Sequence, residues 1–418
     1  MPRFRATCSP RGVGDFGRRV PGKFGVVVSR EEDADLSLWG DPRCPPDVRP
    51  LRERVAGFVR ERVIPCEPRL DSDGALRERL RREARKAGLW GLPLPAELGG
   101  AGLALTGYAH IAEAEGASDH GPDVLGSTVL LDVTTLTEHA PPAVRDRYLS
   151  RIASGELSLC NAMTEPGSPG SDPALTTTRA EQRPDGSWTV HGRKWFITGA
   201  GHADLALVLA RTSGGPPART GLSVLLVPTS APGFEVVREL PVLGAGGQWE
   251  LALDGVTVPA DHLLGDPGHG LRVLAGRVRL GRLLRCLRWL GQAERAFTLM
   301  RDRARSRPAA SGRLGDHQLV QQLVFDALLA IRTTRPLVFE TAARIEAGHD
   351  ARIETGLAKV AAARTLQRVT DAAIQVHGAA GLGPDTPLPA LFRTGRMARV
   401  LDGPDELHIT AVARRVLR

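Results

Sequence analysis

Long apolar runs are scarce in this sequence of 418 residues. The longest, such as LALVLA (Leu205–Ala210) and LSVLLV (Leu222–Val227), are far shorter than the roughly 20 residues that a membrane-spanning helix needs. Apolar residues still make up 42% of the chain and charged residues 24%, which is typical of a globular protein. The sequence therefore predicts a large core, space for two or three domains and no membrane span.

Cysteine is also scarce. The five cysteines are odd in number and far apart, without a C-x-x-C pair or the Cys/His spacing of a zinc site. This pattern indicates neither a disulfide framework nor a metal site, and it favours a reducing, cytoplasmic compartment. The N-terminal residues include arginine but no continuous apolar segment, so a secretory signal is not expected, while an organelle transit peptide is left open.

A compact basic patch is missing, although the net charge is +8 and the isoelectric point about 9.8. Residues 1–30 contain seven basic side chains and one acidic side chain, Asp15, and so carry +6 of this charge. Because no cluster of basic and aromatic residues follows, we expect no nucleic-acid partner. The stretch GVGDFG (Gly12–Gly17) has the letters of a dinucleotide-binding pattern, but it lacks the preceding strand and an uninterrupted helix after it, so it does not predict a phosphate loop.

The apolar periodicity changes along the chain. Residues 1–45 show none, and we interpret them as a poorly ordered basic extension. Residues 46–156 repeat apolar side chains at helical spacings of three and four. Residues 157–266 alternate with a period of two and are rich in β-branched residues, which predicts strands. Helical patterns return over residues 267–418, in long segments that can bury two faces and so suit a bundle and an oligomer interface.

Five motifs stand at the joints of this helical, β and helical order. They are CNAMTEPGSPGSD (Cys160–Asp172), KWFITGAG (Lys194–Gly201), VTVPADHLLG (Val256–Gly265), IQVHGAAG (Ile374–Gly381) and LDGPDELH (Leu401–His408). In this order they resemble the successive signatures of the acyl-CoA dehydrogenase family over residues 49–418. The resemblance implies an α+β multidomain fold with an N-terminal helical domain, a middle β-barrel or sandwich domain and a C-terminal four-helix bundle.

Two features resemble the branch of the family that contains human acyl-CoA dehydrogenases ten and eleven and bacterial relatives. The TEP loop is one residue longer than the usual T-E-P-G-x-G-S-D, and Leu-Asp-Gly-Pro at residues 401–404 replaces the usual Tyr-Glu-Gly-Thr. The resemblance implies that Asp402 is the base that removes the α-proton of an acyl thioester, while a hydride leaves the β-carbon for N5 of FAD. Asp is one methylene shorter than Glu, so the substrate or the flavin must lie nearer the backbone.

This chemistry requires a carboxylate with a raised pKa and hydrogen-bond donors to the thioester oxygen. The N–H of Asp402 would be one of these donors, and the following Gly-Pro frees the backbone from a helix. The same letters are also common turn chemistry, in which Asp402 would only cap the final helix. Asp405 and Glu406 are expected on the solvent side or at the edge of the cofactor.

The matched motifs imply two sets of binding residues. For FAD they are Met163, Thr164, Gly170, Phe196, Ile197, Thr198, Arg307, His317, Gln318, Gln375, Gly378 and Glu406. For the substrate they are Ser171, Arg282 and Gly403. A Thr in a strand commonly reflects β-propensity alone, and a Gly-Ser pair in a loop commonly forms only a turn, so these alternatives stay open. The residues from Arg307 to Gly378 are expected to serve the FAD of a neighbouring subunit.

Two positions depart from the family pattern. Ala310 and Ser311 replace the usual Phe-Gly after Arg307, which should weaken the retention of FAD. Gly281 occupies the alternative base position of some relatives and cannot act as a base, so Asp402 is the only matched base.

The segment Ser118–His139 is expected to line the acyl pocket. Its polar side chains favour a functionalised acyl chain, but solvent-facing helix positions explain them equally well. These residues are Asp123, Asp132, Thr134 and Thr135.

The sequence thus predicts an FAD-dependent acyl-CoA dehydrogenase that desaturates an acyl-CoA or acyl-carrier thioester in fatty acid metabolism. We expect a homodimer or homotetramer that passes electrons to an electron-transfer flavoprotein. Other chemistry shares the fold: nitroalkane-oxidase-like enzymes also use an Asp base here, whereas flavin monooxygenases generally lack it. A third hypothesis is a catalytically silent FAD- or carrier-binding scaffold, because the segment after Arg307 departs from the family pattern.

Overall fold

The computed structural model describes residues 44–418. The GVGDFG motif and nearly all of the predicted extension lie outside the described residues. Within these described residues, the N-terminal part contains seven α-helices joined by short turns. Their bounds are α1 Arg49–Phe58, α2 Glu67–Leu70, α3 Gly74–Lys86, α4 Leu105–Glu115, α5 Gly121–Val124, α6 Leu130–His139 and α7 Pro142–Ala153.

Local signals set both ends of α3. Asp73 is its N-cap, and the Asp73 side chain accepts a hydrogen bond from the N–H of Leu76 (2.9 Å). Past the last turn, Gly88 has a φ of 65°, the left-handed conformation that commonly ends a helix. Leu76 and Leu80 are buried in an apolar cluster with Val124. One face of α3 therefore packs inward and the Arg-rich face remains outside.

The middle part is one mixed sheet. Its strands are β1 Leu159–Ala162, β2 Arg179–Gln182, β3 Trp188–Thr198, β4 Leu205–Arg211, β5 Leu222–Pro228, β6 Phe234–Glu239, β7 Gln248–Val258 and β8 Leu263–Leu264. The order is β6-β7-β3-β2-β4-β5-β8, and β1 pairs with β4 in parallel. Strands β3 and β7 are antiparallel, and their register shifts between Lys194 and Ile197. This shift is a β-bulge, which changes the direction of the side chains near the end of β3.

Alternate residues of these strands form an apolar core. Trp188 and Val190 of β3 and Val208 of β4 are each 5% exposed or less, and they share the core with Ile197. Every residue of β4 is buried, as is typical of a strand that is covered on both faces. The sheet is therefore the rigid support for any side chain that β3 presents outward.

The C-terminal part contains three long and three short helices. They are α8 Gly270–Ser306, α9 Gln318–Glu346, α10 Arg352–His377, α11 Ala379–Leu382, α12 Leu388–Ala398 and α13 Asp405–Val416. Helix α10 packs against α8, α9, α12 and α13, and α8 also packs against α4 and α6. A Cβ at Gly116 or Gly291 would lie 2.3 Å or less from backbone atoms of the opposing segment. The backbones of α4 and α8 are therefore in direct contact at these glycines.

The order of helical, β and helical parts confirms the predicted fold class. Among the helices of residues 44–418, none has the length and apolar character needed to cross a membrane. The apolar pattern of α9 leaves part of its surface uncovered, since Leu319, Phe325 and Leu329 are 78%, 63% and 47% exposed. A single chain therefore does not bury both apolar faces of this helix.

Candidate active site

Asp402 lies in the turn between α12 and α13. Its backbone is in the left-handed region (φ 56°), and Gly403 follows with a φ of 95°. Asp tolerates this region better than most residues, at a cost of about 1–2 kcal/mol. Helix α13 begins at Asp405, and its N-cap, Pro404, provides no side-chain cap. Asp402 is therefore not the cap of the final helix, and that alternative interpretation is excluded.

Two side chains hold the backbone carbonyl of Asp402. Arg282 of α8 donates from Nε (2.9 Å), and His408 of α13 lies with Nε2 at 3.1 Å. Because a carbonyl only accepts, Nε2 of His408 carries the proton. Burial lowers the pKa of His408 and of Arg282, so His408 is neutral at pH 7. A Cβ at Gly403 would meet Leu407 at 2.8 Å, so the turn is held from two helices and has space only for glycine after Asp402.

The Asp402 carboxylate has a different partner. Nε of Arg285 lies 2.6 Å from Oδ2, and Arg285 follows Arg282 by one helical turn on α8. Oδ2 is buried and has no aligned hydrogen-bond partner among the described residues, so this contact is an ion pair. The Asp402 and Arg285 side chains remain 31% and 36% exposed. Oδ1 is therefore the carboxylate oxygen on the open side.

Asp405 corrects an expectation from the sequence. It is not on the solvent side: it is fully buried and contacts Arg399 (3.0 Å), Arg364 (3.3 Å) and Lys359 (3.4 Å). Burial alone would raise the pKa of Asp405, but the three cations together lower it. The Asp405 N–H also donates to the Arg399 carbonyl (3.0 Å). Asp405 therefore fastens the start of α13 to α10 and to the residue that follows α12.

One signal for this cluster was present in the sequence. The chain has only four lysines among its 55 basic residues, and two of them, Lys194 and Lys359, are fully buried against carboxylates. Where arginine supplies nearly all of the positive charge, a lysine within an apolar helix or strand indicates a buried ion pair. That signal points to Lys359 without identifying its partner.

Thr164 and β3 form the first part of the predicted flavin site. The Thr164 hydroxyl donates to the Trp195 carbonyl (2.5 Å), and the Trp195 N–H donates to the Thr164 carbonyl (3.0 Å). Met163 precedes this pair, and its carbonyl accepts from Lys194 Nζ (3.1 Å). The loop after β1 is thus joined to β3 where the bulge lies.

The three predicted β3 residues do not share one face. Phe196 has a left-handed backbone (φ 50°) and is 47% exposed, and Thr198 is exposed and accepts from the Gln248 amide (2.9 Å). The side chain of Ile197 is 1% exposed and lies in the apolar core. Phe196 and Thr198 can therefore present side chains to a ligand, whereas Ile197 can present only its backbone.

A closed ion pair lies behind this face. Lys194 and Glu165 are 2.8 Å apart, and their side chains are 0% and 3% exposed. Glu165 also accepts from the N–H and hydroxyl of Thr177 (both 2.7 Å) and from the N–H of Thr178 (2.9 Å). Burial opposes the charge of Glu165, but Lys194 and these donors lower the pKa of Glu165 to about 2. Burial lowers the pKa of Lys194 to about 8, an effect that Glu165 opposes, so both groups are charged at pH 7.

The loop after Glu165 carries Gly170 and Ser171. Ser171 is exposed. A Cβ at Gly170 would meet Thr164 Cγ2 at 2.8 Å. The loop therefore approaches Thr164 as closely as a glycine allows.

The remaining predicted cofactor residues lie in other parts of the fold. Arg307 follows α8, His317 and Gln318 begin α9, Gln375 and Gly378 lie at the end of α10, and Glu406 lies in the first turn of α13. All six are exposed. No hydrogen bond or ion pair within residues 44–418 joins them to Asp402 or β3. A single chain does not bring this group together with the other predicted cofactor residues.

The segment expected to line the acyl pocket contains buried polar groups. Asp132 of α6 is 7% exposed and pairs with Arg277 of α8 (2.7 Å). Burial raises the pKa of Asp132, and Arg277 opposes this effect. The Thr135 hydroxyl is buried and donates to the Leu131 carbonyl (2.6 Å). Solvent-facing positions therefore do not explain Asp132, which joins α6 to α8, or Thr135, whose hydroxyl bonds within α6.

Gly281 faces the same segment. A Cβ built on Gly281 would lie 3.4 Å from Leu131 Cδ1, an ordinary van der Waals contact. Helices α6 and α8 thus approach each other one turn before Arg285.

Three family models match the chain. They are described as the N-terminal domain (residues 45–156), middle domain (160–256) and C-terminal domain (268–417) of acyl-CoA dehydrogenase. Acyl-CoA dehydrogenase family member 11 of Rattus norvegicus is 34% identical over 419 residues, which cover 94% of this chain and 53% of the relative. The chain thus spans about half the length of that relative.

Two further proteins match over nearly their whole length. The Mycobacterium tuberculosis protein named "Probable acyl-CoA dehydrogenase FadE2" is 33% identical over 384 residues, covering 87% of this chain and 93% of the relative. A solved structure from Mycobacterium abscessus has a TM-score of 0.83 at 31% identity and covers 89% of this chain and 98% of that chain. With three family models in the same order and these relatives, the chain belongs to the acyl-CoA dehydrogenase family.

Proposed function

We propose that the chain is an FAD-dependent acyl thioester dehydrogenase. The thioester loses a proton from its α-carbon to Asp402 and a hydride from its β-carbon, which leaves a Cα=Cβ double bond. One observation carries this proposal: Asp402 has a backbone held from two helices and a carboxylate with one buried and one open oxygen. A solvated turn needs neither property, whereas a general base must hold an accessible acceptor oxygen in a fixed position, which both properties favour.

The residues on the outer face of β3 fit FAD. Phe196 and Thr198 are exposed there beside the Thr164–Trp195 junction, and Gly170 brings the loop backbone close to Thr164. Small residues in such a loop leave N–H groups accessible to phosphate. When bound, FAD supplies the acceptor for the hydride. We infer that Met163, Thr164, Gly170, Phe196, Thr198 and the backbone of Ile197 hold it.

The other half of the FAD site is proposed to come from a second copy of the chain. Its residues are Arg307, His317, Gln318, Gln375 and Gly378, with Glu406 at the cofactor's edge. The uncovered apolar residues of α9, Leu319, Phe325 and Leu329, support a homodimer or homotetramer, because apolar surface of this kind is typical of subunit interfaces.

The thioester is proposed to bind at the turn of Asp402. Within residues 44–418 the Asp402 N–H donates to no protein oxygen, so it is available to the thioester carbonyl. Arg282 acts through the Asp402 carbonyl that it holds, Gly403 gives the turn its shape, and Ser171 is exposed on the loop that precedes β2. Acyl-CoA or an acyl-carrier thioester is the proposed substrate, an electron-transfer flavoprotein the acceptor and the cytoplasm the location.

Anaerobic titration of the FAD-loaded protein with a panel of acyl-CoA thioesters tests this function. We expect at least one thioester to bleach the oxidised flavin absorbance, and Asp402→Asn to slow bleaching by about 10²–10⁴-fold. The control is Asp371→Asn, which removes an exposed carboxylate on α10 and should bleach at the wild-type rate.

Two results would contradict the proposal. Bleaching that persists in Asp402→Asn would remove Asp402 as the base. No bleaching by any thioester, together with peroxide release from nitroalkanes, would favour the nitroalkane-oxidase-like alternative.

A further inference from the structure

The two arginines beside Asp402 contact different parts of it. Arg282 holds the backbone carbonyl and Arg285, one turn later on α8, holds Oδ2 of the carboxylate. The backbone position therefore does not depend on Arg285, because Arg282 and His408 already fix it. What Arg285 alone can determine is the rotamer of the Asp402 side chain.

We propose that Arg285 is a positioning residue for the base: it occupies Oδ2 of Asp402 and so presents Oδ1 as the oxygen that accepts the α-proton. This inference rests on the proposed function. Oδ2 is buried in contact with the guanidinium, while the Asp402 side chain as a whole remains 31% exposed. Proton transfer needs the acceptor within hydrogen-bond reach and in line with the breaking bond, so a fixed rotamer has kinetic value.

A purely structural role does not account for this pair. Both side chains are about one-third exposed, and exposed ion pairs contribute little to stability. Two other ion pairs of this protein, Glu165–Lys194 and Asp132–Arg277, join separate segments and are buried. All four of their side chains are 10% exposed or less. Asp402–Arg285 is the open exception among these three, and it lies where the proposed chemistry takes place.

The choice of arginine has a physical reason. A guanidinium is planar and approaches a carboxylate in a defined orientation, whereas an ammonium is a point charge on a flexible stem. Arg285→Lys would retain the charge and lose part of the orientation, and Arg285→Gln would lose the charge as well. These two variants therefore separate the effect of charge from the effect of geometry.

Stopped-flow reduction of the FAD-loaded protein by its best thioester tests the inference, with the unlabelled and the α-deuterated thioester compared. In Arg285→Gln we expect the flavin-reduction rate to fall by about 10–100-fold, the size of effect that a displaced catalytic group produces. The thioester Kd should change by less than about threefold, because ground-state binding is unaffected. The α-deuterium isotope effect should increase, because proton removal becomes a larger part of the barrier. Arg285→Lys should recover part of the rate.

The matched control is Arg272→Gln, which removes an exposed arginine of the same helix. It should leave the rate, the Kd and the isotope effect unchanged. A second readout is independent of activity: in a crystal structure of Arg285→Gln, the Asp402 carboxylate should occupy more than one rotamer while its backbone stays left-handed.

Each contrary outcome is decisive. An unchanged rate in Arg285→Gln, a loss confined to Kd, or a single unchanged Asp402 rotamer would overturn the positioning role and leave the proposed function intact. A wild-type protein that no thioester bleaches would overturn the proposed function and this inference with it.

Discussion

Two carboxylate–cation pairs of this molecule have the same chemistry and opposite surroundings. In the middle sheet, Glu165 and Lys194 are 3% and 0% exposed, and every oxygen of Glu165 accepts hydrogen bonds. Between α8 and α13, Asp402 and Arg285 are 31% and 36% exposed, and one oxygen of Asp402 is open. A carboxylate whose two oxygens both accept hydrogen bonds can only join neighbouring segments. A carboxylate that is held by one oxygen can still take a proton from a substrate.

We call Glu165–Lys194 the closed pair and Asp402–Arg285 the open pair. The largest expected effect comes from breaking the closed pair. Lys194→Met leaves Glu165 charged and buried without its cation, which should destabilise the folded state by about 3–5 kcal/mol. Thermal unfolding of the purified variant measures this loss. Lys86→Met, which removes an exposed lysine at the end of α3, is the control and should unfold near the wild-type temperature. An equal, small loss in both variants would show that the closed pair does not stabilise the fold.

The closed pair also predicts an acid transition. The pKa of Glu165 is about 2 in the folded protein and 4.5 ordinarily, so the folded state holds the charged form more strongly than the unfolded chain does. The stability from Glu165 is complete above about pH 4.5 and is lost as the pH falls toward 2, a loss of about 3 kcal/mol.

Unfolding midpoints measured from pH 6 to pH 2 test this transition. Glu165→Gln should flatten the acid limb, whereas Glu181→Gln, at an exposed position of β2, should keep the wild-type slope. A Glu165→Gln curve that is parallel to the wild-type curve would contradict the assignment.

The cluster at Asp405 lies between these extremes. Asp405 is fully buried, but Arg364 and Arg399 are 54% and 35% exposed, so water compensates part of their charge when the carboxylate is removed. Asp405→Asn should therefore destabilise by about 2 kcal/mol, less than Lys194→Met. Denaturant unfolding compared with Asp371→Asn measures the difference. A wild-type midpoint for Asp405→Asn would show that the cluster does not fasten α13.

The smallest expected effect is on the open pair. Arg285→Gln should change the stability by less than about 0.5 kcal/mol and the unfolding temperature by less than about 2 °C, while its kinetic effect is large. Calorimetry on the same samples that are used for flavin reduction measures the stability and the unfolding temperature. A loss of stability comparable to that of Lys194→Met would remove the distinction between the two pairs.

The parts of the structure that followed from the sequence depend on local spacing. Helical and strand periods predicted the order of helical, β and helical parts, and the LDGPDELH motif led to Asp402 as the proposed base. The alternation of side chains along β3 also predicts that Ile197 faces away from Phe196 and Thr198. The motif match alone had placed all three residues at the flavin.

The contacts that define the site are not local. Arg282 reaches the carbonyl of Asp402 across 120 residues of sequence, and Lys359 reaches Asp405 across 46. No periodicity connects such positions, because packing of α8, α10 and α13 brings them together. Asp405, which follows Gly-Pro, has the letters of a solvated turn, and only the structure shows that it is buried among three cations.

Gly281 is a second position on α8 at which a carboxylate could be placed near Arg285. It lies one helical turn before Arg285 on α8, where i and i+4 side chains meet, and a Cβ there fits against Leu131 without a clash. A carboxylate introduced by Gly281→Glu would therefore stand next to the same guanidinium that now serves Asp402. Under the proposed function, such a helix would allow the proton acceptor to move from one segment of the chain to another while the proposed orienting cation, Arg285, stays in place.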